Sequence, residues 1–244
     1  KQENSGAIRS EYKLSDGKPL FSLDNPEGLS PPLFAYAEYN LYHKVGNKKR
    51  LREIIPNLEQ HYIWLDKNFK QENGLYAVPL SAVMMENSPR EEAVYLIDFN
   101  SQQAVNALYM SALGDILNDK ELSFRYKKQY FSLKTRINSL MWNGEDKFYY
   151  DLDSSQKQVR KKTLASYWTL LAEIPNEDKA NSMIKELKNP KTFGTENPFP
   201  SLSASDKNFD PQGCGCRGSV YPHLNFMVIK GLEKYHQWEQ SRDC

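Results

Sequence analysis

The chain has 244 residues, enough for one large domain with a sizeable core or for two small ones. Its 32 Lys and Arg balance 31 Asp and Glu to a net charge of +1, which argues against the clustered basic surface of a nucleic-acid-binding protein. No apolar run approaches about 18 residues, which argues against a membrane-spanning helix.

Residues 1–28 are polar, rich in Ser, Gly and Asp, and read as an extended lead-in to a single helical domain over 29–244. A helix pattern begins after Pro31-Pro32, with Leu33, Phe34, Ala37 and Leu41 on one stripe, and Val45-Gly46-Asn47 stops it. A second helix carries Leu51, Ile54, Ile55, Leu58, Tyr62 and Leu65 at three-and-four spacing and is expected to end near Asn73-Gly74. An extended piece, Leu75-Tyr76-Ala77-Val78, follows. The spacing predicts a helix over 98–117 with Val105, Leu108, Tyr109, Ala112 and Ile116 inward, a break at Asn118-Asp119, and a longer helix over 120–142. That helix ends at Asn143-Gly144, before the aromatic segment Phe148-Tyr149-Tyr150. Shorter helices are expected at about 163–173 and 177–188, then a long loop over 189–217, then a last helix from about 219 to 236.

The unit is therefore helix, tight turn, longer helix, Asn-Gly stop and aromatic segment, with the two Asn-Gly stops about 70 residues apart. A supersecondary unit recurring at such a period implies stacked helical hairpins. Tight turns then lie on one face and long loops on the other, and long loops tend to carry function. Segments 77–97, 151–162 and 189–217 are candidate walls of one site. The 15 Tyr, 11 Phe and 4 Trp fit this picture in two ways. They pack cores, and their apolar faces and polar tips also suit sugar rings.

Three stretches carry residues with chemistry. In Met84-Met85-Glu86-Asn87-Ser88-Pro89-Arg90, a carboxylate lies among apolar neighbours. Burial would keep a proton on Glu86, as a general acid requires, whereas pairing with Arg90 would oppose that. In Ile97-Asp98-Phe99-Asn100-Ser101, either Asp98 or Asn100 can cap the coming helix, leaving the other to bind a hydroxyl. In Cys216-Arg217-Gly218-Ser219-Val220-Tyr221-Pro222-His223, the arginine supplies a planar fork of donors just before a helix. His223 reads first as a packed or capping histidine. Cys214 and Cys216 lack the second Cys or His pair that a zinc site needs, so no metal and no cofactor are expected.

Read together and in order, these stretches resemble the catalytic domain of glycoside hydrolase family 63 and its bacterial mannosylglycerate-hydrolase-like relatives, and more distantly the trehalases. Asn73-Gly74-Leu75-Tyr76 through Arg90 is similar to the family's "NGLY … SGMDNSPR", Ile97 to Ser101 to its "VDLNS", and Met141 to Asp151 to its "LWDEEDGFYYD". Pro200 to Ala204 and Arg217 to Asn225 are similar to its late "PSLSA … WRGPVWPxxN". The resemblance covers about residues 29 to 235. It implies an all-α (α/α)6 toroid, incomplete over these residues because only about seven of twelve helices are visible. It also implies an inverting mechanism on α-linked sugars, in which one carboxylic acid protonates the leaving oxygen and a second carboxylate activates water. By position Glu86 takes the acid role, and Asn87, Arg90, Asp98, Asn100, Trp142, Arg217 and Tyr221 are the sugar-binding candidates.

The chain departs from the family pattern in four places. Glu86 stands where the family has Asp, and Ala82-Val83-Met84 replace the small residues before it. Cys216 and Tyr221 stand where tryptophans usually do. The family's general base lies beyond the helix ending near Tyr235, and the pattern puts neither Glu233 nor Glu239 in that position. A non-catalytic glycan- or protein-binding relative is therefore the alternative to a hydrolase. A polysaccharide lyase using His223 and Arg217 is a more remote one. The partner expected is a carbohydrate, with no nucleic acid and no membrane. A start at Lys1 rather than Met fits an exported bacterial enzyme, periplasmic or secreted, while compartment and oligomeric state stay open.

Overall fold

The computed structural model describes residues 2–18, 28–83, 85 and 87–237. Among the described residues the regular structure is helical apart from two-residue strands. Helix α1 spans Phe34–Val45 and α2 spans Lys48–Phe69. Between them Gly46 takes a left-handed φ of 67°, and the Asn47 side chain accepts from Arg50 N at 3.0 Å to cap α2. The stripe expected on α1 is rotated. Ala37 and Leu41 face outward, and Ala35 is buried. Tyr36 and Tyr39 lie edge-on against Tyr109, with ring centroids 4.9 and 4.8 Å away. Two aromatic rings three residues apart offer more apolar area than the leucine stripe, and they decide the facing.

Helix α2 stops at Phe69, short of the expected Asn73-Gly74, because those two residues build the turn that follows. Asn73 Oδ1 accepts from Leu75 N, Gly74 has a φ of 82°, and Lys70 pairs with Tyr76 across the turn. Helices α3 (Ile97–Leu117) and α4 (Lys120–Leu140) form the tightest hairpin. Asn118 ends α3 with a φ of 59°, and Asp119 caps α4 by accepting from Leu122 N at 2.9 Å. A Cβ on Gly114 would lie 2.7 Å from Ser123 N, so glycine is what lets the two backbones approach.

Helix α3 is the central element and touches α1, α2, α4 and the short α5 (Trp168–Leu171). It is buried nearly all round over its first five turns, and its buried set includes Asp98, Asn100, Gln102, Gln103 and Asn106. After α4 come two small antiparallel pairs. Strand β1 (Trp142–Asn143) meets β2 (Phe148–Tyr149), and β3 (Asp151–Leu152) meets β4 (Gln158–Val159). The helix expected over 163–173 is a 3-10 turn, Leu164–Tyr167, leading into α5. Helix α6 (Glu177–Lys188) is capped by Asn176. Helix α7 spans Pro222–Lys234, starting three residues later than expected. Ser219 instead pairs by its carbonyl with Ser201 N, and the residue before Pro222 is kept out of the helical region.

The described part of the lead-in is docked on α2. Gln2 Nε2 donates to Asn57 O at 2.8 Å, Gln60 Nε2 donates to Asn4 O at 2.6 Å, and Ala7 is buried. Among the described residues no helix is long and apolar enough to cross a membrane.

Candidate active site

The N-terminus of α3 is organised by one fully buried arginine. Arg90 Nε donates to Ser88 Oγ at 2.9 Å, Nη2 donates to Asp98 Oδ2 at 2.9 Å, and Nη1 donates to both Asp151 oxygens at 3.3 Å. Asp151 in turn accepts from Ile97 N, the first amide of α3, at 2.7 Å. Asp98 accepts from Phe99 N at 3.1 Å. Both carboxylates therefore sit where the free amides and the dipole of α3 favour negative charge. Burial lowers the Arg90 guanidinium, but the Asp98 and Asp151 charges and hydrogen bonds outweigh it and raise Arg90 above its ordinary range. Burial pushes the Asp151 carboxyl up, and the neighbouring Asp98 charge adds to this, against the pull of Arg90 and Ile97 N. The residues after Asn87 are thus bound through Arg90 to both α3 and β3. Asp151 belongs to the site, although its sequence context marks it only as the end of an aromatic segment.

Asn87 ties this loop to the late loop. Cys216 N donates to Asn87 Oδ1 at 2.6 Å, Asn87 Nδ2 donates to Cys214 O at 3.4 Å, and Arg217 Nε donates to Asn87 O at 3.0 Å. Gly215 permits this approach, and Gly218 permits a close turn within the late loop itself. A Cβ on Gly215, whose φ is 53°, would lie 2.3 Å from Asn87 Nδ2, and one on Gly218 would lie 2.3 Å from Asp210 O. Segment 77–97 meets 189–217 through Asn87 and 151–162 through Arg90 and Asp151. Glu86, between Met85 and Asn87 in sequence, lies outside the described residues, as do Met84 and Glu239.

Next to this wall is a cavity of about 200 Å³. Asp98, Gln102, Met85, Trp168 and His223 line it, with Pro31, Leu33, Leu224, Phe226 and Met227 completing an apolar surround. Of the sugar-binding candidates only Asp98 lines this cavity. Asn100 is used structurally. Its Oδ1 accepts from Tyr76 N at 2.8 Å, and its Nδ2 donates to Tyr76 O and Leu96 O, which anchors the 70–76 turn to α3. Trp142 stands in the β1–β2 pair, its ring 4.8 Å from that of Tyr149 and under Lys179 Nζ, outside the cavity lining. Arg217 turns to the surface, where it pairs with Glu91 at 3.3 Å. Tyr221 precedes α7 with its ring 5.5 Å from that of His223. Arg90 is an internal anchor behind Asp98. His223, which reads from the sequence as a packing residue, faces the cavity, and burial lowers its pKa. Gln102 and Trp168 are not among the residues that the sequence singles out. The one available signal for Gln102 is its place four residues after Asp98 on the same helix face.

The family model of the mannosylglycerate hydrolase MGH1-like glycoside hydrolase domain matches residues 24–243. An uncharacterized protein of Borreliella burgdorferi is 52% identical over 233 residues, covering 95% of this chain and 49% of the relative. A mannosylglycerate hydrolase of Rubrobacter radiotolerans is 22% identical over 228 residues, covering 92% of this chain and 43% of the relative. The chain thus spans about half the length of the curated relatives it matches. Among solved structures, the family 63 mannosylglycerate hydrolase of Thermus thermophilus in complex with glucose superposes with a TM-score of 0.84 at 18% identity, covering 99% of this chain and 74% of that one. The stacked hairpins are accordingly part of an α/α toroid. By the family match over nearly its whole length, this chain belongs to the mannosylglycerate hydrolase MGH1-like glycoside hydrolases.

Proposed function

We infer that the chain supplies the acid-bearing half of a glycosidase active site, acting on an α-linked sugar by an inverting mechanism. Glu86 is the general acid that protonates the leaving oxygen. The general base is a carboxylate that the family pattern places beyond the helix ending near Tyr235. What carries this reading is the environment of the residues on either side of Glu86. Met85 lines the cavity, while Asn87 is held by three hydrogen bonds to the loop before α7. Asp98, fixed by Arg90, lines the same space. The cavity is small and mostly apolar, which suits one sugar ring lying against Trp168.

The test, made on protein that includes the segment carrying the general base, is hydrolysis of a panel of α-linked glucosides, mannosides and galactosides, mannosylglycerate among them, with the product anomer followed by NMR. Inverted product is expected, and Glu86→Gln should lower kcat by roughly 10²–10⁴-fold, the usual contribution of a positioned acid. Retained configuration would overturn the mechanism. Undiminished activity in Glu86→Gln would overturn the acid. Binding of the sugars without turnover would favour the non-catalytic relative, to which the residues at Cys216 and Tyr221 already point.

A further inference from the structure

We propose that Asp151 is a positioning residue, whose charge gives the Arg90 cluster an excess negative charge and makes the adjacent cavity favour a positively charged sugar ring over a neutral one. The ligand class is a protonated iminosugar or, in turnover, the oxocarbenium-like ring of the transition state. The inference rests on the reading above that the cavity takes a sugar. Arg90, Asp98 and Asp151 are each at most 1% exposed, and the two carboxylates share this one guanidinium. Asp151 Oδ1 accepts from Ile97 N and Arg90 Nη1, and its Oδ2 accepts from Arg90 Nη1. Asp98 Oδ1 accepts from Phe99 N and Arg90 Nη1, and its Oδ2 accepts from Arg90 Nη2. All four oxygens accept from N–H groups, the arrangement of two ionised carboxylates. Burial favours a proton on Asp151, and the Arg90 and Ile97 donors oppose it. One positive and two negative groups leave an excess negative charge. The N-terminal dipole of α3, equivalent to roughly half a positive charge, offsets only part of it.

The cavity feels this charge without touching it. Asp98 lines the cavity, so its carboxylate lies within the length of its own side chain of the open space, and Asp151 stands one guanidinium behind. Leu33, Met85, Trp168 and Met227 keep the wall apolar, and in such surroundings a charge acts further than it does in water. No lining group compensates it. Among the described lining residues His223 is the other ionisable one, and burial lowers its pKa, away from the charged form. Arg217 is paired with Glu91 at the surface. The hydrogen bonds alone do not call for a second carboxylate. An asparagine in place of Asp151 would still accept from Ile97 N and Arg90 and would leave a balanced pair, at a lower cost of burying charge. In glycoside cleavage the ring gains positive charge as the leaving oxygen departs. A fixed negative charge beside it stabilises that state more than the neutral substrate, which is what raises a rate.

The experiment compares Asp151→Asn with the wild type, in protein that includes the segment carrying the general base. The probes are two matched pairs, 1-deoxynojirimycin with 1,5-anhydro-D-glucitol and 1-deoxymannojirimycin with 1,5-anhydro-D-mannitol. The members of a pair differ only in a ring nitrogen against a ring oxygen. Affinities are read by titration calorimetry at one mildly acidic pH, where the nitrogen carries a proton. The wild type should prefer the cation of at least one pair, and Asp151→Asn should lower that cation-to-neutral ratio on the order of ten-fold. A merely structural role would weaken both members together, and a ratio that stays unchanged while both bind overturns this proposal alone. So does a wild type that binds the neutral member as well as the cation. Asp98→Asn removes a charge from the same cluster. If Asp151→Asn fails to fold, Asp98→Asn must lower the ratio by a like amount, and an unchanged ratio there overturns the proposal. A wild type that binds no member of either pair overturns the sugar reading and this proposal with it. The expected fall in a protein that turns over none of the glycosides would leave the proposal standing and overturn the hydrolase reading instead.

Discussion

Arg90 and Arg9 are both buried, and their surroundings differ in every polar contact. Arg90 donates from all three of its nitrogens, to one serine and two carboxylates that are themselves held by helix amides. Among the described residues the Arg9 side chain hydrogen-bonds only Glu3, through Nε at 3.3 Å, while Nη1 and Nη2 find no hydrogen-bond partner there. Its guanidinium instead lies 5.4 Å from the centre of the Trp64 ring. Burying a charge is unfavourable unless partners replace the lost water. The first arginine satisfies that condition and orders three segments around the cavity. The second satisfies little of it and holds the lead-in on α2 mainly by packing and by attraction to the ring. Equal burial therefore conceals opposite roles.

The largest effect should come from breaking the satisfied network. Asp151→Ala leaves Arg90 short of a partner and Ile97 N without its acceptor. Loss of about 3–5 kcal/mol of unfolding free energy is expected in urea titrations, the range for one partner removed from a buried pair. A loss below about 1 kcal/mol would mean that the Arg90 network is no stronger than the Arg9 contact.

The next effect tests the lead-in by pH. His61 is buried beside it, with Nδ1 3.0 Å from Gly6 O and Nε2 without a partner. Burial lowers its pKa, against a smaller upward pull from the Gly6 carbonyl. The unfolded chain then takes up a proton near pH 6.5 while the folded one stays neutral, so stability is complete above that value and falls as pH drops below it. The fall has a limiting slope of about 1.4 kcal/mol per pH unit and ends once the folded imidazole is itself protonated. Urea midpoints at pH 7.5 and 5.5 should show a smaller difference in His61→Phe than in the wild type. The residual difference would include His223, whose pKa is also lowered by burial. An unchanged difference would place His61 outside the acid response.

The smallest effect, and the sharpest contrast, is expected for Arg9→Met. Replacing an incompletely paired buried charge by an apolar chain of similar reach should leave stability within about 1 kcal/mol of the wild type or raise it. A loss as large as that of Asp151→Ala would remove the distinction between the two arginines.

Much of the frame is legible in the sequence because local chemistry and packing agree there. Asn47 and Asp119, which read from the sequence as breaks, also cap the helices that follow them, and α3, α4 and α6 keep their expected spans to within a residue or two. Other features leave no local trace. α3 is buried nearly all round, so no periodicity marks which of its polar residues faces a cavity and which braces a turn. That is why the sequence points to Asn100 as a ligand and passes over Gln102. Asp151 finds Arg90 across 61 residues of chain, a distance over which spacing carries no information. The facing of α1 is settled by Tyr109, a residue on another helix.

The docking of the lead-in also sets an order of assembly. Its contacts join Gln2 to Asn57, Asn4 to Gln60 and Gly6 to His61, each across about 55 residues. During synthesis the lead-in emerges before α2 and has nothing to hold until α2 has been made. Closing a loop of that length costs roughly 3.5 kcal/mol of chain entropy by length scaling alone, and the return comes only from a completed helix. The lead-in, made before α2, thus settles only after it. Until then the indole face of Trp64 that receives Arg9 remains open to other chains.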